Sequence, residues 1–333
     1  MAGRALYDRP GDESIIRVRI PLPFPLRWVN SYVLPDAAGT GWSLIDPGLN
    51  TPEARSLWDQ ILSELGLAVD RLSQVVLTHH HPDHYGLAGW FQEKSGAPVF
   101  LSPEGRRQTE RLWRGDAPLT EETLRLFERH GLAKAKLPEL RDHLDSFIPQ
   151  VSPQPTITEL GAGEMIRMGG WEWEAIHTPG HAFGHLCFYQ VEEQLLFAGD
   201  HVLPRISPNI SYIPGEDANP LDSYLKALQD IAERPVRLVY PGHRDPFANL
   251  AERAGELILH HEERLRKMTA MMDEPKTAYE LSEAYFGREL TIHTLRFALS
   301  ETIAHLNYLE AQGNVRKEER AGKLIYHAAK ART

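Results

Sequence analysis

The chain has 333 residues, 42% of them hydrophobic and 25% charged, with a formal net charge of −10 and a single cysteine, Cys187. That length exceeds one small core and suggests a main domain with an appendage. The acidic balance argues against a general nucleic-acid binder, which needs a concentrated basic surface, and the lone cysteine excludes an intramolecular disulfide or a thiolate metal cage. The opening stretch MAGRALYDRPGDES lacks the apolar core of a signal peptide, and no apolar run is long enough to span a bilayer. The expectation is a cytoplasmic protein without membrane contact.

The first third alternates strand and helix signals. SIIRVRIPL, WVNSYVL and GWSLID read as strands, and TPEARSLWDQILSELG reads as a helix with a Thr cap, Pro in its first turn and apolar residues three and four apart. SQVVLT follows as a buried strand and runs into THHHPDHYG. Alternation along a strand sends His79 and His81 to one side and His80 to the other. Pro82 then turns the chain, which frees Asp83 and His84 to aim elsewhere. Two imidazoles on one side invite a metal, and the turn invites a second. A helix through Leu87–Phe91 and a strand at APVFLS complete a layered α/β pattern.

From Pro103 to about Gln150 the sequence becomes polar and helical, as an insertion that forms a lid or wall over a site. Its Arg106, Arg107, Arg111 and Arg114 are either a binding patch for an anionic group or a solvated helix face, and the charge pattern favours the latter. Trp113 is a candidate apolar wall for substrate. Strands resume at PTITEL, EMIRMG, WEWEAIHT, HLCFYQ and QLLFAG. Cys187, inside HLCFYQ, reads as a buried inert thiol. A helix at LDSYLKALQDIAE and a buried strand VRLVY follow, then a long helix from near Asn249 to near Met272. Beyond it lie two helices and a closing strand pair, a winged-helix-like module over residues 273–333 appended to a main domain of residues 1–272.

One theme recurs along the main domain: an apolar strand stops and a metal-competent residue follows at once. After the histidine turn come His181 behind a Thr-Pro-Gly turn, Asp200 at the end of QLLFAG, and His243 after Tyr-Pro-Gly. Gly180, Gly199 and Gly242 each precede one of these residues and permit close backbone approach. Five histidines and two aspartates suit two divalent cations, zinc first, with iron or manganese as alternatives. His79, His81 and His181 are expected to hold one ion, Asp83, His84 and His243 the other, with Asp200 bridging. His177, His185 and His201 flank these positions and read more readily as structural histidines than as catalytic ones.

HHHPDH, TPGHAFGH, FAGD and YPGH, in this order from about Ser14 to Met272, resemble the metallo-β-lactamase fold superfamily. The resemblance implies a four-layered αββα sandwich with a dinuclear site where the two sheets meet, and it places the family's ligands on His79, His81, Asp83, His84, His181, Asp200 and His243. Asp200 stands where true β-lactamases of this fold carry cysteine or serine, and His81 stands where the flavin-partnered diiron reductases carry glutamate. The tail differs from the glutathione-binding tail of glyoxalase II. The pattern is most similar to glyoxalase-II-like hydrolases with a winged-helix tail.

The expected reaction is hydrolysis of a small-molecule acyl ester, thioester or lactone by a hydroxide bridging two divalent ions, with Asp83 orienting it and accepting its proton. Asn209 and Tyr212, in the stiff segment RISPNISYIPG, are candidates to hydrogen-bond the substrate carbonyl. The alternative is an RNase Z-like nuclease or nucleic-acid-bound phosphodiesterase. It is disfavoured by a tail with nine Lys and Arg against nine Asp and Glu between Asp273 and Thr333. That tail is expected to pack on the main domain or on a second copy of the chain, as in a homo-oligomer, because Leu295, Leu299, Ile303, Leu306 and Leu309 recur at helical spacing.

Overall fold

The computed structural model describes residues 6–36, 39–113 and 118–329. Arg114 lies outside these. The first sheet takes its strands in chain order: β1 (Tyr7–Asp8), β2 (Ile16–Pro21), β3 (Trp28–Pro35), β4 (Trp42–Ile45), β5 (Leu72–Val76), β6 (Val99–Leu101) and β7 (Ile157–Glu159). β1 to β4 pair antiparallel and β4 to β7 parallel. Between these strands run α1 (Pro52–Leu65), α2 (Pro82–Tyr85), α3 (Ala88–Ser95), and the inserted α4 (Pro103–Trp113), α5 (Pro118–Arg129) and α6 (Leu137–Asp145). The Thr51 hydroxyl caps α1 by accepting from Ala54 N, and Gly66 ends the helix at φ 66°.

The second sheet has the order β12-β11-β10-β9-β8. Its strands are β8 (Met165–Met168), β9 (Trp171–His177), β10 (Leu186–Gln190), β11 (Leu195–Gly199) and β12 (Leu238–Pro241), with α7 (Pro220–Ala232) crossing between the last two and α8 (Leu250–Ala270) following. The chain closes with α9 (Ala278–Phe286), α10 (Ile292–Ala311) and the antiparallel pair β13 (Val315–Arg320) and β14 (Lys323–Ala328).

Three apolar clusters make this a four-layered αββα sandwich. Tyr32, Leu34, Ile45 and Val76 of the first sheet meet Met168, Trp173, Phe188, Phe197 and Tyr240 of the second. The outer face of the first sheet packs Val75 and Val99 against Trp58, Ile61 and Phe91 of α1 and α3. The outer face of the second packs Tyr189, Leu196 and Val239 against Tyr224 and Leu228 of α7, and that cluster continues into Leu281, Leu295, Leu299 and Ile303 of α9 and α10.

The C-terminal helices are therefore part of the main core. Helical spacing in α10 exposed an apolar stripe to be covered, and the covering surface is α7, α8 and the insertion. Leu299 is fully buried there. Leu299→Ala is expected to cost about 2–5 kcal/mol through lost contacts and a residual cavity. The measurement is the urea midpoint of the whole chain, and an unchanged midpoint would show that this contact is not maintained in solution.

Candidate metal centre

β5 ends at Val76, two residues earlier than the alternation argument assumed, and Thr78 to His81 lie in a non-strand turn. His79 and His81 still share a side, with His79 Nε2 3.0 Å from His81 Nδ1. His81 is the cap residue before α2, so Asp83 and His84 sit in the first turn of that short helix. His181 follows β9, Asp200 follows β11, and His243 follows β12. All these segments leave the sheets at one edge of the sandwich. Cross-sheet hydrogen bonds close that edge: Asn30 N to Gly242 O at 2.7 Å, Tyr32 Oη to Pro241 O at 2.7 Å and Leu186 N to Thr78 O at 2.8 Å.

The donor atoms fall into three overlapping groups, each within 4.8 Å: His79, His81 and His181; His79, His84 and Asp200; and Asp83, His84 and His243. His243 Nε2 lies 3.3 Å from Asp83 Oδ2 and 3.4 Å from Asp200 Oδ2, and His84 Nε2 lies 3.5 Å from Asp200 Oδ1. Asp200 thus reaches both sides of the cluster, with His181 Nε2 3.6 Å from its Oδ2.

Four of the five imidazoles are held by their other nitrogen. His84 Nδ1 donates to Asp46 Oδ2 at 2.8 Å, His181 Nδ1 to Asn209 O at 2.8 Å, and His243 Nδ1 to Trp28 O at 2.9 Å. Thr78 Oγ1 donates to Asp46 at 2.7 Å, and therefore accepts from His79 Nδ1 at 2.9 Å. These bonds fix tautomers that turn Nε2 of all four rings inward.

Those inward atoms are what a cation needs. His84 Nε2, His181 Nε2, His243 Nε2 and Asp200 Oδ1 are buried without a hydrogen-bond partner, an arrangement that is costly unless a positive ion satisfies it. Charge balance agrees. Burial drives His79 and His81 well below the usual histidine range, with neighbouring imidazoles adding to the effect. Burial also opposes charge on His84 and His243, yet Asp200 and the other nearby carboxylates hold His84 well above its usual value and His243 at about 10. The carboxylates draw positive charge into the cluster, and the donors fit borderline divalent ions with mixed nitrogen and oxygen ligands.

Gly242 is required by this crowding. A Cβ there would overlap Asp200 Oδ1 and stand 2.7 Å from His84 Cε1. Gly242→Ala is expected to lower metal content and turnover together, with little change in far-UV circular dichroism. Full metal occupancy in that variant would contradict the packing argument.

The cluster forms one end of a cavity of about 620 Å³. His81, Asp83, His181, Asp200 and His243 line it, together with Phe24, Leu112, Trp113, Phe127, Phe147 and Phe183. Trp113 stands on its wall. The insertion contributes Leu119, Phe127 and Leu144 as well, so α4, α5 and α6 border the space above the cluster.

Two sequence expectations are corrected here. Tyr212 is absent from the cavity wall and packs into the cluster around α7 and α10, because its neighbours Ser211 and Ile213 take the inward positions. Asn209 does line the cavity, but its amide donates to Glu301 Oε2 at 3.1 Å and its carbonyl holds His181. Its backbone carbonyl thus orients the His181 ring. Of the arginines in α4, Arg106 pairs with Glu110 and Glu159, Arg107 with Glu104, and Arg111 with Glu122, so none offers a free cation for an anionic group.

Two residues that act on the cluster, Asp46 and Thr78, went unassigned in the sequence, and a third, His185, read there as structural. Asp46 carries the same signal as the ligands, an apolar strand ending in an acid within GWSLIDPG, and it orients His84 from φ 51°. Thr78 links Asp46 to His79. His185 accepts from Asp200 N at 3.1 Å and is fixed by Thr178 Oγ1 at 2.8 Å, so it sets the Asp200 loop without facing the cavity. Cys187 is fully buried and burial pushes its thiol up to about 12, as an inert residue requires.

A second donor cluster, His261, Glu301 and His305, is different in kind. Arg264 pairs with Glu301 and already supplies its positive charge.

Comparison with known proteins is consistent with this geometry. The family model described as metallo-beta-lactamase superfamily matches residues 26–243, and a metallo-beta-lactamase-like C-terminal domain model matches residues 265–329. A solved metallo-beta-lactamase family protein from Thermus thermophilus superposes with a TM-score of 0.84 at 37% identity, covering 95% of this chain and 99% of its own. A beta-lactamase domain protein from Burkholderia ambifaria gives 0.85 at 31% identity, covering 97% and 94%. Among curated proteins, a probable metallo-hydrolase of Bacillus subtilis is 27% identical, covering 90% of this chain and 93% of its own. An atrochrysone carboxyl ACP thioesterase of Aspergillus fumigatus is 27% identical, covering 80% and 71%.

Proposed function

The chain belongs to the metallo-β-lactamase superfamily of metal-dependent hydrolases, and within it we propose an enzyme that hydrolyses acyl esters, thioesters or lactones of small molecules with two divalent cations. The observation that carries this reading is the apolar, aromatic lining of the cavity that ends on the His/Asp cluster. An acyl chain gains about 25 cal/mol for each Å² of apolar surface buried in such a space, whereas a polynucleotide needs a row of cations to meet its phosphates. Among the described lining residues, Arg296 is the only arginine or lysine. The thioesterase name of the Aspergillus relative points the same way.

His79, His81 and His181 would hold one cation, Asp83, His84 and His243 the other, and Asp200 both. Bound there, the cations supply Lewis acidity toward the acyl oxygen and ease the ionisation of water, and zinc, iron or manganese would each suit the donors. The chain's own part is to fix the donors through Asp46, Thr78, Asn209 and Trp28 O, to keep bulk water from the reacting carbon with Trp113 and the insertion, and to take a proton at Asp83. Asp83 serves because it lies at the mouth of the cluster, on the cavity wall, and burial there is outweighed by His84 and His243, which keep its carboxyl below the usual range and ready to accept. No helix among the described residues is long and apolar enough to cross a membrane.

The test is a panel of acyl thioesters, esters, lactones, bis(p-nitrophenyl) phosphate and single-stranded RNA, assayed with protein whose metal content has been measured. Turnover of the acyl compounds above the phosphodiesters is expected. Fast cleavage of RNA with no acyl turnover would transfer the assignment to a nuclease.

A further inference from the structure

The cavity holds a cation that no carboxylate among the described residues pairs with. Arg296, on α10, lines the cavity wall, and its guanidinium lies over the rings of Phe297 at 3.9 Å and Phe147 at 5.1 Å. Its Nε is buried without a hydrogen-bond partner, and among the described residues no carboxylate lies within ion-pair distance. The other arginines withdrawn from solvent are treated differently. Arg17 is paired with Asp8 and Asp245, Arg264 with Glu301, and Arg111 with Glu122. A half-buried charge whose Nε is shut off from water and left unpaired is destabilising, so a guanidinium in this state has a use outside the folded chain's own stability.

The acidic groups nearby are committed elsewhere. Glu301 is held by Arg264 and Asn209, and Glu216 accepts from Gln108. Burial pushes Glu216 up to about 7, which reduces the negative charge it presents, and burial raises Glu301 as well. Arg296 itself is lowered by burial to about 10, with Asp83 opposing the shift, and stays a cation at neutral pH. The aromatic faces hold the planar group in one orientation, with its nitrogen edge as the part left to bond. A planar fork of this kind matches a carboxylate by two parallel hydrogen bonds.

We infer that Arg296 is the receptor for a carboxylate on the substrate, distinct from the scissile group, so that the enzyme selects acyl compounds with one acidic group on an otherwise apolar body. The inference rests on the acyl-hydrolase reading for its kinetics but not for its binding. A single guanidinium set among Phe24, Phe147, Phe297 and Leu290 favours one charge on an apolar body over a polyphosphate.

Binding is measured first, by calorimetry on the full chain with octanoate and octanamide, both with metal bound and after chelation, so that any carboxylate contact with metal is separated from contact with Arg296. Octanoate is expected to bind the chelated wild-type protein at least about tenfold more tightly than octanamide, and Arg296→Leu is expected to remove that difference. Arg296→Lys should retain part of it, as a point charge without the fork. Octanoate binding that is absent, or that is equal in wild type and in a folded Arg296→Leu variant, overturns the site. The kinetic arm compares adipoyl and hexanoyl thioesters of N-acetylcysteamine. The ratio of their kcat/KM values should exceed about ten in wild type and fall toward one in Arg296→Leu, with KM carrying the change. If neither thioester is turned over while the binding difference holds, the acyl-hydrolase reading fails and the carboxylate site stands.

Discussion

Asp200→Ala is expected to lose at least about a hundredfold in turnover, and more than any change confined to the residues that merely orient a ligand. Its carboxylate reaches donors of both expected sets, with Oδ1 3.5 Å from His84 Nε2 and Oδ2 3.4 Å from His243 Nε2 and 3.6 Å from His181 Nε2. Removing the carboxylate leaves those three imidazoles turned inward with Asp83, and Asp46 behind His84, for charge balance. Metal analysis should then find fewer ions per chain than in wild type. The fold has little reason to fail, since the backbone of the loop is fixed separately by the bond from Asp200 N to His185. Two tightly bound ions in Asp200→Ala, with turnover intact, would remove Asp200 from the bridging position.

How much of this was legible in the sequence depends on how local each signal is. The seven inward-facing residues each announce themselves within a few positions, as a strand end, a turn residue and a polar side chain with no local partner. The αββα layers are equally local, because parallel strands buried on both faces read as continuous apolar runs and the connecting helices as amphipathic ones. Asp46 had the same local signature but no histidine beside it, and its role depends on β4 and β5 being neighbours, which is a fact of pairing.

Tyr212 and Asn209 failed for a related reason. In a segment without regular structure no period says which side chains face inward, and here Ile206, Ser207, Pro208, Asn209, Ser211 and Ile213 line the cavity while Ile210 and Tyr212 turn into the apolar cluster. Arg296 was visible only as one charge on a helix of balanced composition. Its meaning comes from α10 lying against α6 and α7 and bringing that face to the metal cavity, a contact between segments far apart in the chain. The pairing of Arg106 and Arg107, by contrast, was readable: glutamates stand three and four residues away in EGRRQTER.

The same distinction between holding charge and moving a proton separates Asp83 from Asp200. Asp83→Asn keeps the volume of the side chain and leaves one oxygen facing the cluster beside His243, whose Nε2 lies 3.3 Å from Asp83 Oδ2. The amide cannot take up a proton at neutral pH. If Asp83 only completes a ligand set, the variant should show weakened metal binding, and excess metal should restore much of its rate. If Asp83 is the proton acceptor, kcat should fall by about 10²–10⁴ at saturating metal, with KM nearly unchanged.

The pH profile adds a second readout, because loss of an acceptor whose carboxyl lies below the usual range should remove the acidic limb from the pH dependence of kcat. Metal titration and the pH profile of kcat, measured on the same preparation, distinguish the two cases. A rate restored by metal alone, with the acidic limb in place, would leave Asp83 as a ligand and assign proton transfer to another group. The buried His79 and His81 are poor alternatives, since burial holds both well below the range in which they could accept and retain a proton at neutral pH. Asp83 is also the one carboxylate of the cluster exposed enough to meet water entering from the cavity, at 19% for its side chain against 9% for Asp200.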